Sequence, residues 1–537
     1  MGTRLISMED VQALLRKGAE GDHKAMAEAE NLIHGILAQQ PNNWAAIFFL
    51  ANIYLHYGKD GIAIVLFERA AQLEPNCPET WNNLGTAYRK ENHNTDAERC
   101  LKKALEIKPD DPDVYNNLAT LHINEGSPDK ALEYLNKGLA LSGAHNQLHW
   151  NRGLALLELE QWDEGFPEYA WGVASNDRLT KNYGDALWWD GDAHPNDKIV
   201  VYGEQGIGDE IMFASMLPDL QNAFQGKVIF DAHPRLVSLF EGAFPEVHVY
   251  DTRKILDRPV SWLPSEMPIQ WKVPIGNLGK WFRRKEEDFP KVPYIYPDRE
   301  KVEEYKEWIR LTGPGPYLAV GWVGGHKKTR KDIRSIKLAD LTPIIQRAGT
   351  VFSVQYTSHG EEDTEAYFKE TATRIWHFPE VVCCQKAEKY ILMKDGTPIA
   401  ESKNKEELKP LRVHYGGEIE HVHDTPAYDY GETAAFVAAL TELGGRVVTV
   451  NSSLVHLMGA MGLPCYTLTP AKPAWRYGLK RKDMVWYPNV RQFRQTPIGG
   501  WTEAIKTLEQ VIGAEFDPYE NVVAPKPRRN SILRDNK

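Results

Sequence analysis

The stretch KIVVYGEQGIGDEIMFASML, Lys198–Leu217, sets the fold of the larger part of this chain. KIVVY is a short β-branched run that reads as a buried strand. From Glu210 onward, apolar residues recur at helical spacing. Between the two lies Gly203-Glu204-Gln205-Gly206-Ile207-Gly208-Asp209. Strand, glycine turn and helix start together are the anion-binding arrangement of doubly wound α/β domains, where free N–H groups and the positive end of the helix dipole face the turn. Gly206 and Gly208 let another molecule come close to the backbone. The spacing is not the dinucleotide fingerprint, and no Lys-Ser/Thr follows as in a P-loop. Asp209 therefore has two readings of equal weight: an N-cap, or a group with chemistry to perform.

The rest of the chain fits a folded, multidomain protein. Its 537 residues call for two to four domains. A net charge of −11 argues against a dedicated nucleic-acid or membrane-surface binder. Cys77, Cys100, Cys383, Cys384 and Cys465 show neither metal spacing nor a disulfide framework, which fits a reducing compartment. No run reaches the roughly 20 apolar residues that span a bilayer. The opening MGTRLISMED lacks the apolar core of a signal peptide and has Ile6 where a myristoylation signal wants Ser or Thr. A cytoplasmic location is expected.

The first third is periodic. Small residues recur every 34 positions at Ala63, Ala97, Ala131 and Gly165, at Ala51, Gly85, Ala119 and Gly153, and at Ala70, Ala104, Gly138 and Gly172. Bulky residues follow at Phe67, Leu101, Leu135 and Tyr169, and Pro41, Pro75 and Pro109 punctuate the same period. Small residues let two helices of a hairpin approach, bulky ones fill the seam, and proline stops the second helix. ETWNNLGTAYRKENHNTDAERCLKKALEIKPD, Glu79–Asp110, resembles the tetratricopeptide repeat through Trp81, Leu84, Gly85, Tyr88, Ala97, Ala104 and Pro109. Four or five repeats are expected, the first a degenerate cap carrying Ala29 and Pro41. A ligand-holding concave face and a plain spacer or dimerisation arm stand about equal. Asn82, Asn83, Asn116 and Asn117 recur on successive first helices, as contacts for a bound backbone or as a solvated face.

After Tyr169 the strand–helix alternation takes over. GKVIFDAHPRLVSLFEGAF and EVHVYDT continue a first α/β domain. PYLAVGWVGG, TVFSVQY and RVVTVNSSLVHLMGAMGLPCYTLTP build a second. The order GEQGIGDEIMFA, VGWVGGHKKTRKDIRSI, VVTVNSSLVHLMGAMGLP, then PAWRYGL and VWYPNVRQFRQ resembles bacterial glycosyltransferases with N-terminal tetratricopeptide repeats. The catalytic half is similar to the lipopolysaccharide heptosyltransferases, and the architecture to the protein O-GlcNAc transferases. The resemblance implies a GT-B fold, two Rossmann-like domains with the nucleotide-sugar donor held mainly by the second. Boundaries are expected at 1–175 for the repeats, 176–312 for the acceptor-side domain and 313–515 for the donor-side domain.

The same resemblance gives Asp209 the role of general base toward an acceptor hydroxyl, with inversion at the anomeric carbon. The basic run HKKTRKDIRS carries Lys327, Lys328, Arg330, Lys331 and Arg334 after Gly324 and Gly325. Cations there suit the diphosphate leaving group, and Lys328 and Arg334 are the chosen contacts; a solvated loop is the alternative. Ser452, Ser453 and the following N–H groups can cradle phosphate, with His456 on the first turn facing the same anion. Asn451 stands where the family more often has Asp, which leaves hydrogen bonding but removes a charge. Arg476 is a candidate phosphate or acceptor contact, and Gln355 a candidate contact to base or ribose. The one Asp-x-Asp, Asp190 to Asp192, precedes the first strand and reads as a loop, so no metal and no cofactor are expected beyond the nucleotide sugar as substrate.

Residues 380–424 are an addition that the core pattern does not need. A hairpin is expected around Asp395-Gly396, in an insertion that shapes acceptor choice or merely decorates the surface. The basic tail 516–537 reads as disordered. The leading function is an inverting, metal-independent glycosyltransferase whose acceptor is a protein, a glycan or a modified nucleobase. Repeats can also make it a homo-oligomer. The competing function is a non-catalytic repeat scaffold with a degenerate sugar-nucleotide fold.

Overall fold

The computed structural model describes residues 8–19, 22–253, 262–325, 331–355, 360–377, 388–394, 397–402, 418–423, 429–496 and 500–520. It divides into two compact units, Met1–Asp177 and Arg178–Lys537.

The first unit is a series of helical hairpins. They pair α1 (Met8–Ala19) with α2 (His23–Gln39), α3 (Trp44–His56) with α4 (Asp60–Leu73), α5 (Pro78–Lys90) with α6 (Asn94–Ile107), α7 (Pro112–Asn124) with α8 (Pro128–Leu141), and α9 (Asn146–Glu158) with α10 (Trp162–Tyr169). The sequence period is the packing period. Phe67, Leu101, Leu135 and Tyr169 are all fully buried, as are Ala63, Ala97 and Ala131. The small and bulky series meet directly. A Cβ on Gly85 would lie 2.7 Å from Leu101 Cγ, and one on Gly153 would lie 2.5 Å from the backbone nitrogen of Tyr169.

The recurring asparagines bond to one another. Asn83 donates to Asn52 Oδ1, Asn117 to Asn82 Oδ1 and Asn151 to Asn116 Oδ1, each at 2.8 Å. A second polar series went unread in the sequence: Trp81, Tyr115 and His149, one period apart, each engage the carbonyl six residues back, at Pro75, Pro109 and Gly143. It ties each first helix to the turn that precedes it.

The second unit holds two parallel sheets flanked by helices. The first contains β1 (Leu187–Trp188), β2 (Lys198–Tyr202), β3 (Lys227–Asp231), β4 (His248–Tyr250) and β5 (Trp271–Pro274), in the order β1-β5-β2-β3-β4. The second begins with β6 (Tyr317–Gly321), β7 (Thr350–Ser353) and β8 (Ile375–His377). An insertion follows, with β9 (Glu388–Lys394), β10 (Thr397–Ser402) and β11 (Glu418–His423) in an antiparallel sheet of its own, ordered β10-β9-β11. The second parallel sheet then resumes with β12 (Arg446–Val450), β13 (Cys465–Thr469) and β14 (Val490–Arg494), giving the order β14-β13-β12-β6-β7-β8. All pairings in these two larger sheets are parallel. The winding of the second reverses between β6 and β12, and that of the first between β2 and β5. At such switch points the loops at the strand C-termini diverge and leave room for a ligand.

Three expectations change. Helix Arg299–Thr312, placed with the first lobe by a boundary at 312, packs on the second. Its Trp308 ring sits 5.4 Å from Phe352 of β7 and 6.1 Å from Phe436, and Lys301 and Tyr305 both reach Glu432. The apolar face of this helix packs mainly on the second lobe's helix Tyr430–Glu442, with Trp308 reaching β7. Helix Thr502–Glu520 runs past 516, where the tail was expected to begin, because Phe516 is buried in the second lobe's core. Asp190–Asp192 is a loop, but it follows β1 instead of preceding the first strand; Asp190 Oδ1 accepts from the Asp192 N–H at 2.9 Å and faces His194. In the insertion, Thr397 pairs with Lys394 across the two-residue Asp395-Gly396 connection. Residues 395–396 and most of the insertion's loops, with Cys383 and Cys384, lie outside the described residues.

Candidate functional site

Three acids crowd the turn that follows β2, and the fold sends them different ways. Glu204 turns inward, where Arg178 grips it with two bonds of 2.7 and 3.1 Å and the Gly276 N–H donates at 3.0 Å. Glu210 is also buried. It accepts from the His233 N–H at 2.6 Å and from Arg253 at 2.8 Å, and burial pushes its carboxyl up to about 7. Asp209 alone faces the second lobe, where it forms an ion pair with Arg476. Its capping role differs from the one expected. Gly206 is the N-cap of helix Ile207–Ala214, and Asp209, at the third helical position, reaches back to accept from the Gly206 N–H at 3.2 Å. Neither the strand pattern nor the glycine spacing marks which acid is left to face the second lobe; the inward partners Arg178 and Arg253 do.

The second lobe contributes a matching start. Helix Ser453–Ala460 follows β12 directly, with Ser452 as an extended N-cap that makes no side-chain cap bond. Ser452 Oγ lies 3.3 Å from Thr449 Oγ1, and Ser453 Oγ bonds the Tyr430 hydroxyl. Asn451 is buried, and its Oδ1 accepts from Thr467 and Thr469 at 3.0 and 3.1 Å. Its Nδ2 has no partner among the described residues. The Asn451 carbonyl accepts from Arg334 Nε at 3.2 Å and from a second nitrogen of the same guanidinium. That approach requires Gly324, whose Cβ would stand 2.7 Å from the Asn451 oxygen, and Gly325 is left-handed at φ 71°. Lys327, Lys328 and Arg330 lie outside the described residues; Lys331 and Arg334 bound a single helical turn.

Two expected contacts find other work. Gln355 is buried and its amide is spent on the main chain of the neighbouring loop: Oε1 accepts from the Trp322 and Val323 N–H groups at 3.0 and 2.8 Å, and Nε2 donates to the Val323 carbonyl at 3.3 Å. It clamps the end of β7 to the end of β6. His456 lies at the fourth helical position, not on an exposed first turn. Its ring is enclosed, 3.4 Å from both the Tyr477 and Tyr487 hydroxyls. Burial, reinforced by Arg476 and Arg334, holds its pKa well below the usual imidazole range. His456 is thus enclosed between two tyrosines and its burial disfavours the charged form.

The lobes join at these two helix starts. A Cβ on Gly208 would lie 2.7 Å from the His456 ring and 3.2 Å from Ser453 Cα, so the first turns of the two helices touch. The chain after β13 returns to brace them. Trp475 stacks near Phe213, Phe213 meets Trp486 edge-on, and the Tyr294 hydroxyl donates to the Ile211 carbonyl at 3.0 Å. Two positive helix ends and the Arg476 guanidinium thus meet at the Asp209 carboxylate, with Arg334 held at the Asn451 carbonyl just before the second helix. Such a place favours a further anion. Among the described residues, no group of three His, Cys, Asp or Glu is placed to hold a metal ion, and no helix is long and apolar enough to cross a membrane.

The family models and the solved structures match the repeat part of the chain, and one curated relative matches more of it. Tetratricopeptide repeat profiles match residues 78–111 and 100–133, and the repeats read from the sequence are of that kind. Protein FlbA of Caulobacter vibrioides is 26% identical over 370 residues, covering 66% of this chain and 53% of FlbA. The chain thus spans about half the length of this relative. Among solved structures, MamA is 20% identical with a TM-score of 0.27, covering 33% of this chain and 97% of its own. A thermophilic tetratricopeptide repeat protein of Thermus thermophilus is 20% identical with a TM-score of 0.28, covering 31% of this chain and 90% of its own.

Proposed function

We propose that the second unit is an inverting glycosyltransferase that moves a sugar from a nucleoside-diphosphate donor to an acceptor hydroxyl, and that the repeats bind the acceptor or a partner protein. One observation carries the reading: Asp209 is the single acid of its turn aimed at the place where the helix starts Ile207 and Ser453, Arg334 and Arg476 meet. In this reading the donor's diphosphate lies against the N–H groups of Ser453 and Leu454, with Arg334 and Arg476 balancing its charge. Asp209 takes the proton of the acceptor hydroxyl as that oxygen attacks the anomeric carbon from the face opposite the diphosphate. The bond to the diphosphate breaks, and the growing negative charge meets cations already in place. Asn451 supplies an amide N–H where an aspartate would have added repulsion.

In the repeat unit, the linked amides of Asn52, Asn83, Asn82, Asn117, Asn116 and Asn151 support the partner-binding role. Each primary amide has two N–H groups and two lone pairs, and the ladder uses only part of that capacity.

The test is a panel of nucleotide sugars incubated with the full chain, with released nucleotide followed by mass spectrometry and binding followed by thermal shift. Release of one nucleoside diphosphate, lost in Asp209→Asn, supports the transferase. No thermal shift with any nucleoside diphosphate or its sugar would leave the repeat scaffold as the function.

A further inference from the structure

Both oxygens of Asp209 are engaged. Oδ2 accepts from the Gly206 N–H at 3.2 Å, and Oδ1, the oxygen turned toward the second lobe, is held by Arg476. The pair is largely desolvated, with Asp209 16% and Arg476 15% exposed. Oδ1 is buried behind Arg476, so an acceptor hydroxyl has no way to reach it. Yet the turn that carries Asp209 touches the Ser453 helix start through Gly208, which puts Arg476 at the join of the two helix starts, where it and Arg334 help hold the His456 pKa down. A guanidinium between a carboxylate and an anion site can serve either. A diphosphate presents more charge and a bidentate face, and wins that competition when it is bound.

We infer that the Asp209–Arg476 pair is the resting half of an exchange: a bound nucleoside diphosphate draws Arg476 off Asp209, and only then is Oδ1 free to take the acceptor's proton. This inference rests on the transferase reading above and adds an order to it, donor before acceptor. It also assigns Arg476 a further partner, the diphosphate. The exchange protects an activated sugar, because the base is disengaged only when the donor is seated.

Calorimetric titration of the full chain with ADP, GDP, CDP and UDP, and with the matching nucleosides, tests this. Asp209→Asn keeps an oxygen for the Gly206 N–H and removes the charge that competes for Arg476. It should bind the preferred nucleoside diphosphate about tenfold tighter than the natural chain. Arg476→Gln should bind it about tenfold more weakly, and adding Asp209→Asn to Arg476→Gln should bring no gain, since the two residues act as one pair. Equal or weaker diphosphate binding by Asp209→Asn overturns the exchange while leaving a diphosphate site in place. So does a gain that persists without Arg476, or an equal gain for the nucleoside. If none of the four diphosphates binds to either form, the donor site itself is refuted and the exchange falls with it. Unchanged melting temperatures confirm that each variant is folded.

Discussion

The two units use polar side chains in opposite ways. In the repeat unit one contact is made again and again: the side-chain hydrogen bond that Asn117 donates to Asn82 is donated by Asn151 to Asn116 one period later. In the two-lobed unit each polar contact occurs once. Arg178–Glu204, Arg253–Glu210 and Arg476–Asp209 are three pairs within a few residues of one turn, and each has a different environment. Glycine shows the same divide. Gly85 and Gly153 answer to the bulky series of their own unit, whereas Gly208 and Gly324 answer to residues far away in sequence, His456 and Asn451. Repetition stabilises by many equal small terms; a site needs unequal ones.

The sharpest way to break this contrast is at Asp209. Asp209→Asn should lower sugar transfer by about 10²- to 10⁴-fold, the usual worth of a general base, while stability changes little because the capping bond survives. Transfer measured at saturating donor would refute the uniqueness of this acid if it stayed within a few-fold of the natural chain. Next in size is the repeat seam. Gly153→Ala drives a methyl onto the Tyr169 backbone and should destabilise by about 1–3 kcal/mol, a typical overpacking cost, seen as an earlier melting transition; no change would mean that the hairpin is looser than its spacing implies.

The acid side of stability sharpens the comparison further. Burial alone would raise the Glu266 carboxyl, but bonds from Lys227, Lys198 and Tyr250 outweigh it and hold it down to about 2. Since the folded pKa is depressed, its contribution is complete above about 4.5 and is lost as pH falls from there toward 2. Glu266→Gln should therefore flatten that limb of a stability–pH curve and cost about 1–2 kcal/mol at neutral pH; an unaltered acid limb would show that the three donors do not act together. The smallest effect has the opposite sign. A Cβ on Gly35, within α2, meets nothing within 4 Å. Gly35→Ala should stabilise by about 0.5–1 kcal/mol through helix propensity alone, measured by chemical denaturation.

Much of the fold was legible because local pattern and packing agree. The small and bulky phases predicted which residues would be buried in the repeats, and KIVVYGEQGIGDE read correctly as strand, turn and helix start. The hairpin flanking Asp395-Gly396 was legible for the same reason, since its two strands are adjacent in sequence. The site was less so. Gln355 and His456 sit in motifs that suggest ligand contact, yet both are occupied by neighbours: the main chain of 322–323 for one, two tyrosines from the returning C-terminal segment for the other. Glu204 and Glu210 passed without notice because their partners, Arg178 and Arg253, lie 26 and 43 residues away. Helix Arg299–Thr312 was assigned to the first lobe because a chain-order boundary carries no information about which sheet its apolar face will cover.

By itself the sequence determined the repeat period, the strand–turn–helix grammar of two α/β lobes and the short list of groups able to meet an anion. These follow from side-chain spacing over one turn, one strand or one repeat. Only the tertiary structure decided that Asp209 would face the second lobe while Glu204 and Glu210 turned into the first, that His456 would be enclosed by two tyrosines, and that Arg476 would pair with Asp209. Those outcomes depend on which distant charge removes the cost of burying each group, and that is set by how the lobes pack.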